Sequence, residues 1–161
     1  MLVTPDDARG LVHVTWVAAA ELDDTLLERL VGDVTGTTDG VRVVRACRTC
    51  GSDRHGQPRV VREPGAAHVF VSLARSRGRA VVAVTDVGDV GVDVEEAGPA
   101  APNDLVDWVR AESLVKATGH GLTIDPASLD VDRRTLDLPA PDGCVAAVTV
   151  LTGRPLDVTT R

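Results

Sequence analysis

Residues 90–122, VGVDVEEAGPAAPNDLVDWVRAESLVKATGHGL, carry a strand pattern, a small-residue connection and a helix pattern in one run. A strand sends successive side chains to opposite faces, so Val92 and Val94 share one face and Asp93 and Glu95 the other. Residues 96–103, EAGPAAPN, read as a linker because proline and glycine interrupt any regular element. Asn103 is a suitable N-cap, and 104–118 reads as the strongest helix of the chain, closed by Gly119. Leu105, Trp108, Glu112 and Val115 fall along one stripe of that helix.

Working outward, strands are expected at 69–73 and 80–85, joined by a basic hairpin segment at 74–79, ARSRGR. Residues 45–68 are punctuated by glycine and proline, with a short strand at 59–62. A first strand is expected at 11–17. A helix over 18–31 follows, because Leu22, Leu26, Leu27 and Leu30 recur at helical spacing, with Gly32 as its cap and a loop at 33–40. Beyond the central helix, short strands are expected near 128–131 and 145–151.

A chain of 161 residues holds one core, or two small halves that share one. Aromatic residues are 2% of it, so the core must be built from Val, Leu and Ala, and valine favours sheet. A net charge of −7 argues against general nucleic-acid binding, and any anionic ligand must be held by a local cluster of cations. No apolar run approaches the roughly 20 residues that span a bilayer. MLVTPDDARG at the start has no basic stretch followed by an apolar one, so no membrane partner and a cytoplasmic location are expected. Three cysteines, Cys47, Cys50 and Cys144, fit reduced thiols better than a disulfide framework.

Two carboxylates on one strand face, Asp93 and Glu95, are costly to hold together without a counter-charge. Mg²⁺ supplies one in sites built from one or two carboxylates and substrate phosphates. The alternative is an edge strand with a solvated acidic face. On the helix, Trp108, Glu112 and Lys116 are spaced i, i+4, i+8 and lie close to one face. Alone, they read as a surface Glu–Lys pair worth roughly 0.2–0.5 kcal/mol beside a core tryptophan. Joined to the strand, Glu112 completes a three-carboxylate site and Lys116 reaches a phosphate. Cys47 and Cys50 with nearby His55 have a zinc-type pattern whose fourth ligand would be distant, such as Cys144 or His68. The alternative is a tight loop of small polarizable residues.

GVDVE at 91–95 with W-x-x-x-E-S-x-x-K-A-x-G-x-G-L at 108–122 resembles the two signature motifs of the 4′-phosphopantetheinyl transferase superfamily. The likeness is nearest to its monomeric, surfactin-synthetase-type group. HGQP at 55–58 and VSLARSRGRAVVAV at 71–84 stand where that group has G-K-P and S-x-S-H segments. The resemblance implies an α+β fold of two pseudo-symmetric halves, 1–85 and 86–161, each a helix on a small antiparallel sheet, with the site between them. It implies transfer of 4′-phosphopantetheine from coenzyme A to a serine of an acyl or peptidyl carrier protein. Asp93, Glu95 and Glu112 would hold Mg²⁺, Glu112 and Lys116 would be catalytic, and His55, Gln57, Ser72, Arg75 and Lys116 would bind the coenzyme. The chain departs from the pattern where Arg75 replaces a histidine, Ala74 a serine, Gln57 a lysine and Ala111 a lysine. The connection between motifs is short, and Arg42, Arg45 and Arg48 are the only upstream basic candidates. Those losses leave a second expectation, a non-catalytic relative that binds a partner or nucleotide.

Overall fold

The computed structural model describes residues 8–47, 49–99 and 104–161; Arg48 and the expected cap Asn103 lie outside them. The protein is α+β. Strand β1 (Gly10–Ala18) is followed by helix α1 (Asp24–Thr35), β2 (Arg42–Arg45), β3 (Pro58–Val61), β4 (Phe70–Ser76) and β5 (Arg79–Thr85). Then come β6 (Val90–Glu96), α2 (Leu105–Thr118), β7 (Arg134–Leu138), β8 (Cys144–Val150) and β9 (Leu156–Thr160).

The order β4-β5-β1 in one sheet is repeated by β7-β8-β6 in another, each with its helix after the first strand in sequence. Two copies of one strand–helix–strand–strand topology therefore face each other. Strand β9 departs from this repeat. It crosses to the first sheet and pairs with β1 in parallel, which makes that sheet mixed where a purely antiparallel one was expected. β2 and β3 form a separate two-stranded ribbon.

Alternation along the strands builds four layers. Val81 and Ala83 of β5, with Val12 and Val14 of β1, meet Val92, Val94 and Val148 of the second sheet in a core between the sheets. The opposite face of β5, Ala80, Val82 and Val84, packs under Leu26, Leu27, Leu30 and Val31 of α1. Fully burying a valine or leucine stabilises by about 1.5–3 kcal/mol, so this interior rests on aliphatic residues, with Trp16 and Phe70 packed at its margin.

Helix α1 starts and ends later than the leucine pattern implies. The Asp23 carboxylate accepts from the Leu26 N–H at 2.7 Å and sets the start. Gly32 lies inside the helix, because a Cβ there would stand 2.4 Å from Thr38 Cγ2. Gly36, at φ 82°, takes the left-handed cap. The expected basic hairpin segment is mostly strand: only residues 77 and 78 turn, both at positive φ, the pattern of a tight two-residue hairpin. Residues 126–128 are a 3-10 turn rather than a strand, and β7 begins at Arg134.

Candidate active site

Gly91, Asp93 and Glu95 point from β6 toward α2, and the helix lies directly on the strand because Gly91 has no side chain. A Cβ at Gly91 would be 1.9 Å from the Ser113 carbonyl oxygen and 2.4 Å from the Ala117 nitrogen. Ser113 is small and buried, and its hydroxyl hydrogen-bonds Thr149 Oγ1 at 2.7 Å, which in turn meets Thr135 at 2.8 Å. The face of α2 turned to the sheet is thus Val109, Ser113 and Ala117. Trp108, expected in the core, is 51% exposed.

This close seat decides the fate of the acidic face. Asp93 is buried, so the face is not the solvated edge that spacing alone allows. Lys116 Nζ donates to Asp93 Oδ1 at 2.7 Å and to the Val92 carbonyl at 3.1 Å. Asp93 Oδ2 is buried without a partner. Glu112, one turn before Lys116, faces the same group. Burial pushes its carboxyl above the ordinary glutamate range, and the neighbouring Asp93 and Glu95 charges push it further while Lys116 opposes them. Among the described residues, Lys116 is the one cation paired with any of the three carboxylates.

The sign of the Glu112 shift fixes a test. Well below the ordinary glutamate range the carboxyl is neutral in folded and unfolded chains and costs nothing. As pH rises through that range toward the raised folded value, the folded chain holds the extra proton and loses stability relative to the unfolded one. Glu112→Gln is therefore expected to raise the melting temperature near neutral pH and to give no gain at acid pH, read by thermal melts across a pH series.

Lys116, the partner of Asp93, lines a cleft of about 1060 Å³, whereas Asp93, Glu95 and Glu112 are not among its lining residues. The start of α1, the loop from β2 to β3, strand β4 and the end of α2 form its walls. Five cations line it, Arg45, Arg54, Arg59, Arg75 and Lys116, against two carboxylates, Asp23 and Asp24. Both carboxylates are engaged: Asp23 caps α1, and Asp24 pairs with Arg45 at 2.7 Å. Arg54 and Arg59 make no ion pair among the described residues, so they remain open to an anion. The cluster gives the acidic chain the local positive field that an anionic ligand requires.

Sequence reasoning named Arg75, His55, Gln57, Ser72 and Lys116, and all five line this cleft. It missed Arg54 and Arg59, whose signal was their position at either end of RHGQPR, 54–59. Arg42, on β2, is not among the lining residues. Several of the named groups hold the protein together. Ser72 Oγ accepts from the Val92 N–H at 3.1 Å and joins β4 to β6. Gln57 Nε2 donates to the Lys116 carbonyl at 3.0 Å, tying the loop to the end of α2. Arg75 donates to the Leu22 carbonyl at 3.3 Å and is otherwise exposed.

At the cleft mouth, His55 Nε2 lies 3.2 Å from Cys50 Sγ. The backbone N–H groups of Cys50 and Thr49 point at the Cys47 sulfur and hold its thiol below the ordinary range. Neither Cys144 nor His68 joins this group. Among the described residues no helix is long and apolar enough to cross a membrane. In comparison with known proteins, the chain matches no family model and no curated protein.

Proposed function

We propose that this chain is a transferase that moves the 4′-phosphopantetheine arm of coenzyme A onto a serine of an acyl or peptidyl carrier protein. One observation carries the reading: Lys116 both lines the cationic cleft and pairs with the buried Asp93, so one side chain joins an anion site to a hard-donor group. Coenzyme A is an extended polyanion with a diphosphate, and arginine suits phosphate recognition through its planar fork. Arg54, Arg59 and Arg75 bind and orient its phosphates, with His55 and Gln57 on the same wall.

The donor set suits Mg²⁺ in kind, since Asp93, Glu95 and Glu112 offer only oxygen and Asp93 Oδ2 is orphaned, while their oxygens do not all lie within 4.8 Å of one another and would have to draw together on the ion. Bound there, Mg²⁺ would neutralise charge on the diphosphate and its leaving oxygen. The chain's own residues do the rest. The carrier serine Oγ attacks the β-phosphorus, the bond from that phosphorus to the bridging oxygen breaks, and 3′,5′-adenosine bisphosphate leaves. Glu112 accepts the serine proton. Lys116 stabilises charge developing on the diphosphate. The protein acts as a monomer.

The test is mass spectrometry of an apo carrier protein incubated with the chain, coenzyme A and Mg²⁺. A gain of one phosphopantetheine arm supports the reading; no gain across acyl and peptidyl carriers overturns it. In a coenzyme A titration, Arg75→Ala is expected to weaken binding about tenfold, the loss of one charged hydrogen bond. Unchanged affinity would mean that Arg75 serves only the Leu22 carbonyl.

The second reading is a non-catalytic relative that binds a nucleotide or partner in the same cleft. What favours it is that Ser72 and Gln57 spend hydrogen bonds on Val92 and on the Lys116 carbonyl. Coenzyme A binding without transfer would select it.

A further inference from the structure

The loop between β2 and β3 brings two thiols and an imidazole together at the rim of the cleft. Cys47 Sγ, Cys50 Sγ and a His55 ring nitrogen all lie within 4.8 Å of one another, the one such group of metal-ligating side chains among the described residues. We propose that Cys47, Cys50 and His55 bind one Zn²⁺, with the fourth position open to water on the cleft side.

The backbone supports this set. The Gly51 N–H donates to the Cys47 carbonyl at 2.8 Å, and the Cys47 N–H donates to the Ser52 carbonyl at 2.9 Å, so the chain reverses tightly around the first sulfur. Gly51 takes φ 70°, which the reversal demands. The returning arm is pressed against the outgoing one at Gly56, where a Cβ would stand 3.0 Å from Ala46 and Cys47 backbone atoms. That contact sets His55 beside Cys50.

The donor chemistry selects the ion. Two thiolates and an imidazole are soft to borderline and suit tetrahedral Zn²⁺, whereas the all-oxygen set of Asp93, Glu95 and Glu112 suits a hard cation. A Cys-x-x-Cys pair also forms disulfides, but a dithiol switch has no need of an imidazole 3.2 Å from its second sulfur. Three protein ligands with an exchangeable fourth position describe an open site, and Cys47 and His55 both line the cleft. The same loop carries Arg54 and Gln57, so the ion would pin one wall of the anion site.

The experiment titrates the reduced, metal-stripped full chain with Co²⁺ and then with Zn²⁺. The expected result is one equivalent of Co²⁺ with thiolate charge-transfer absorption and tetrahedral d–d bands, bleached by Zn²⁺ and indifferent to Mg²⁺. Cys47→Ser and Cys50→Ser should each weaken binding by more than the 10–100-fold that loss of an outer-shell partner costs. His55→Ala should weaken it while keeping thiolate absorption. Circular dichroism checks that each variant is folded. Absence of thiolate–cobalt bands in the folded, reduced chain overturns the proposal. So does a signal that survives in the Cys47→Ser/Cys50→Ser double variant. The readout requires neither coenzyme nor carrier, so it stands apart from the transferase reading.

Discussion

Gly91→Ala is expected to destabilise the protein by at least about 3 kcal/mol, the upper range for overpacking a filled interior. The added Cβ meets backbone on two sides, the Ser113 oxygen at 1.9 Å and the Ala117 nitrogen at 2.4 Å. Neither atom can swing away as a flexible side chain would, so α2 must lift off β6. Lifting it parts Lys116 from Asp93 and breaks the Ser113–Thr149 hydrogen bond. Urea unfolding gives the loss directly. Gly98→Ala is the control, because a Cβ there meets nothing within 4 Å, and its effect should stay within about 0.5 kcal/mol. Equal midpoints for the two variants would mean that α2 does not rest on Gly91.

Lys116→Met is the second large effect. Asp93 has one oxygen on Lys116 and the other without a partner, and its side chain is 8% exposed. Removing the lysine leaves that carboxylate uncompensated, beside Glu112 and Glu95. Breaking a buried pair costs about 3–5 kcal/mol, and the low end applies because Lys116 keeps 34% of its side chain in solvent. The double variant Asp93→Asn/Lys116→Met removes both charges and should recover most of the loss. A double variant as unstable as Lys116→Met would show that the lysine stem, rather than its charge, matters here. If the transferase reading holds, Mg²⁺ should also raise the unfolding midpoint of Lys116→Met more than that of the wild type. It would replace the missing cation among the same three carboxylates.

The central strand and helix were legible because each carries its period plainly. β6 and α2 fall within a residue or two of their expected bounds, and Gly119 closes α2 in the left-handed conformation as its place after the pattern requires. What the sequence left unread depends on partners distant along the chain. β9 contains Leu156, Asp157, Val158, Thr159 and Thr160, a short alternation that becomes a strand only beside β1. β2, with four residues, gains its meaning from β3 across the loop. Gly32 looked like a stop signal because nothing local announces Thr38 pressing against it. The same holds at the site. Asp93 and Lys116 stand out by spacing, yet their direct pairing follows from Gly91, whose role is visible only once the helix is seated. Arg54 and Arg59 escaped notice because a cationic wall is a property of the cleft, assembled from a loop residue and the second residue of the short strand β3.

The parallel pairing of β9 with β1 also sets the order in which this chain can be finished during synthesis. Residues 10–14 meet residues 156–160, so the outer side of β1 exposes its hydrogen-bonding groups until the ribosome has released nearly all of the intervening chain. A nascent chain carrying β1, α1, β4 and β5 therefore presents an open, valine-rich edge for the time that 75 or so further residues take, some seconds at about 5–20 residues per second. Closing it joins β1 and β9, the strands of the fold farthest apart in sequence, which makes β9 docking a late event.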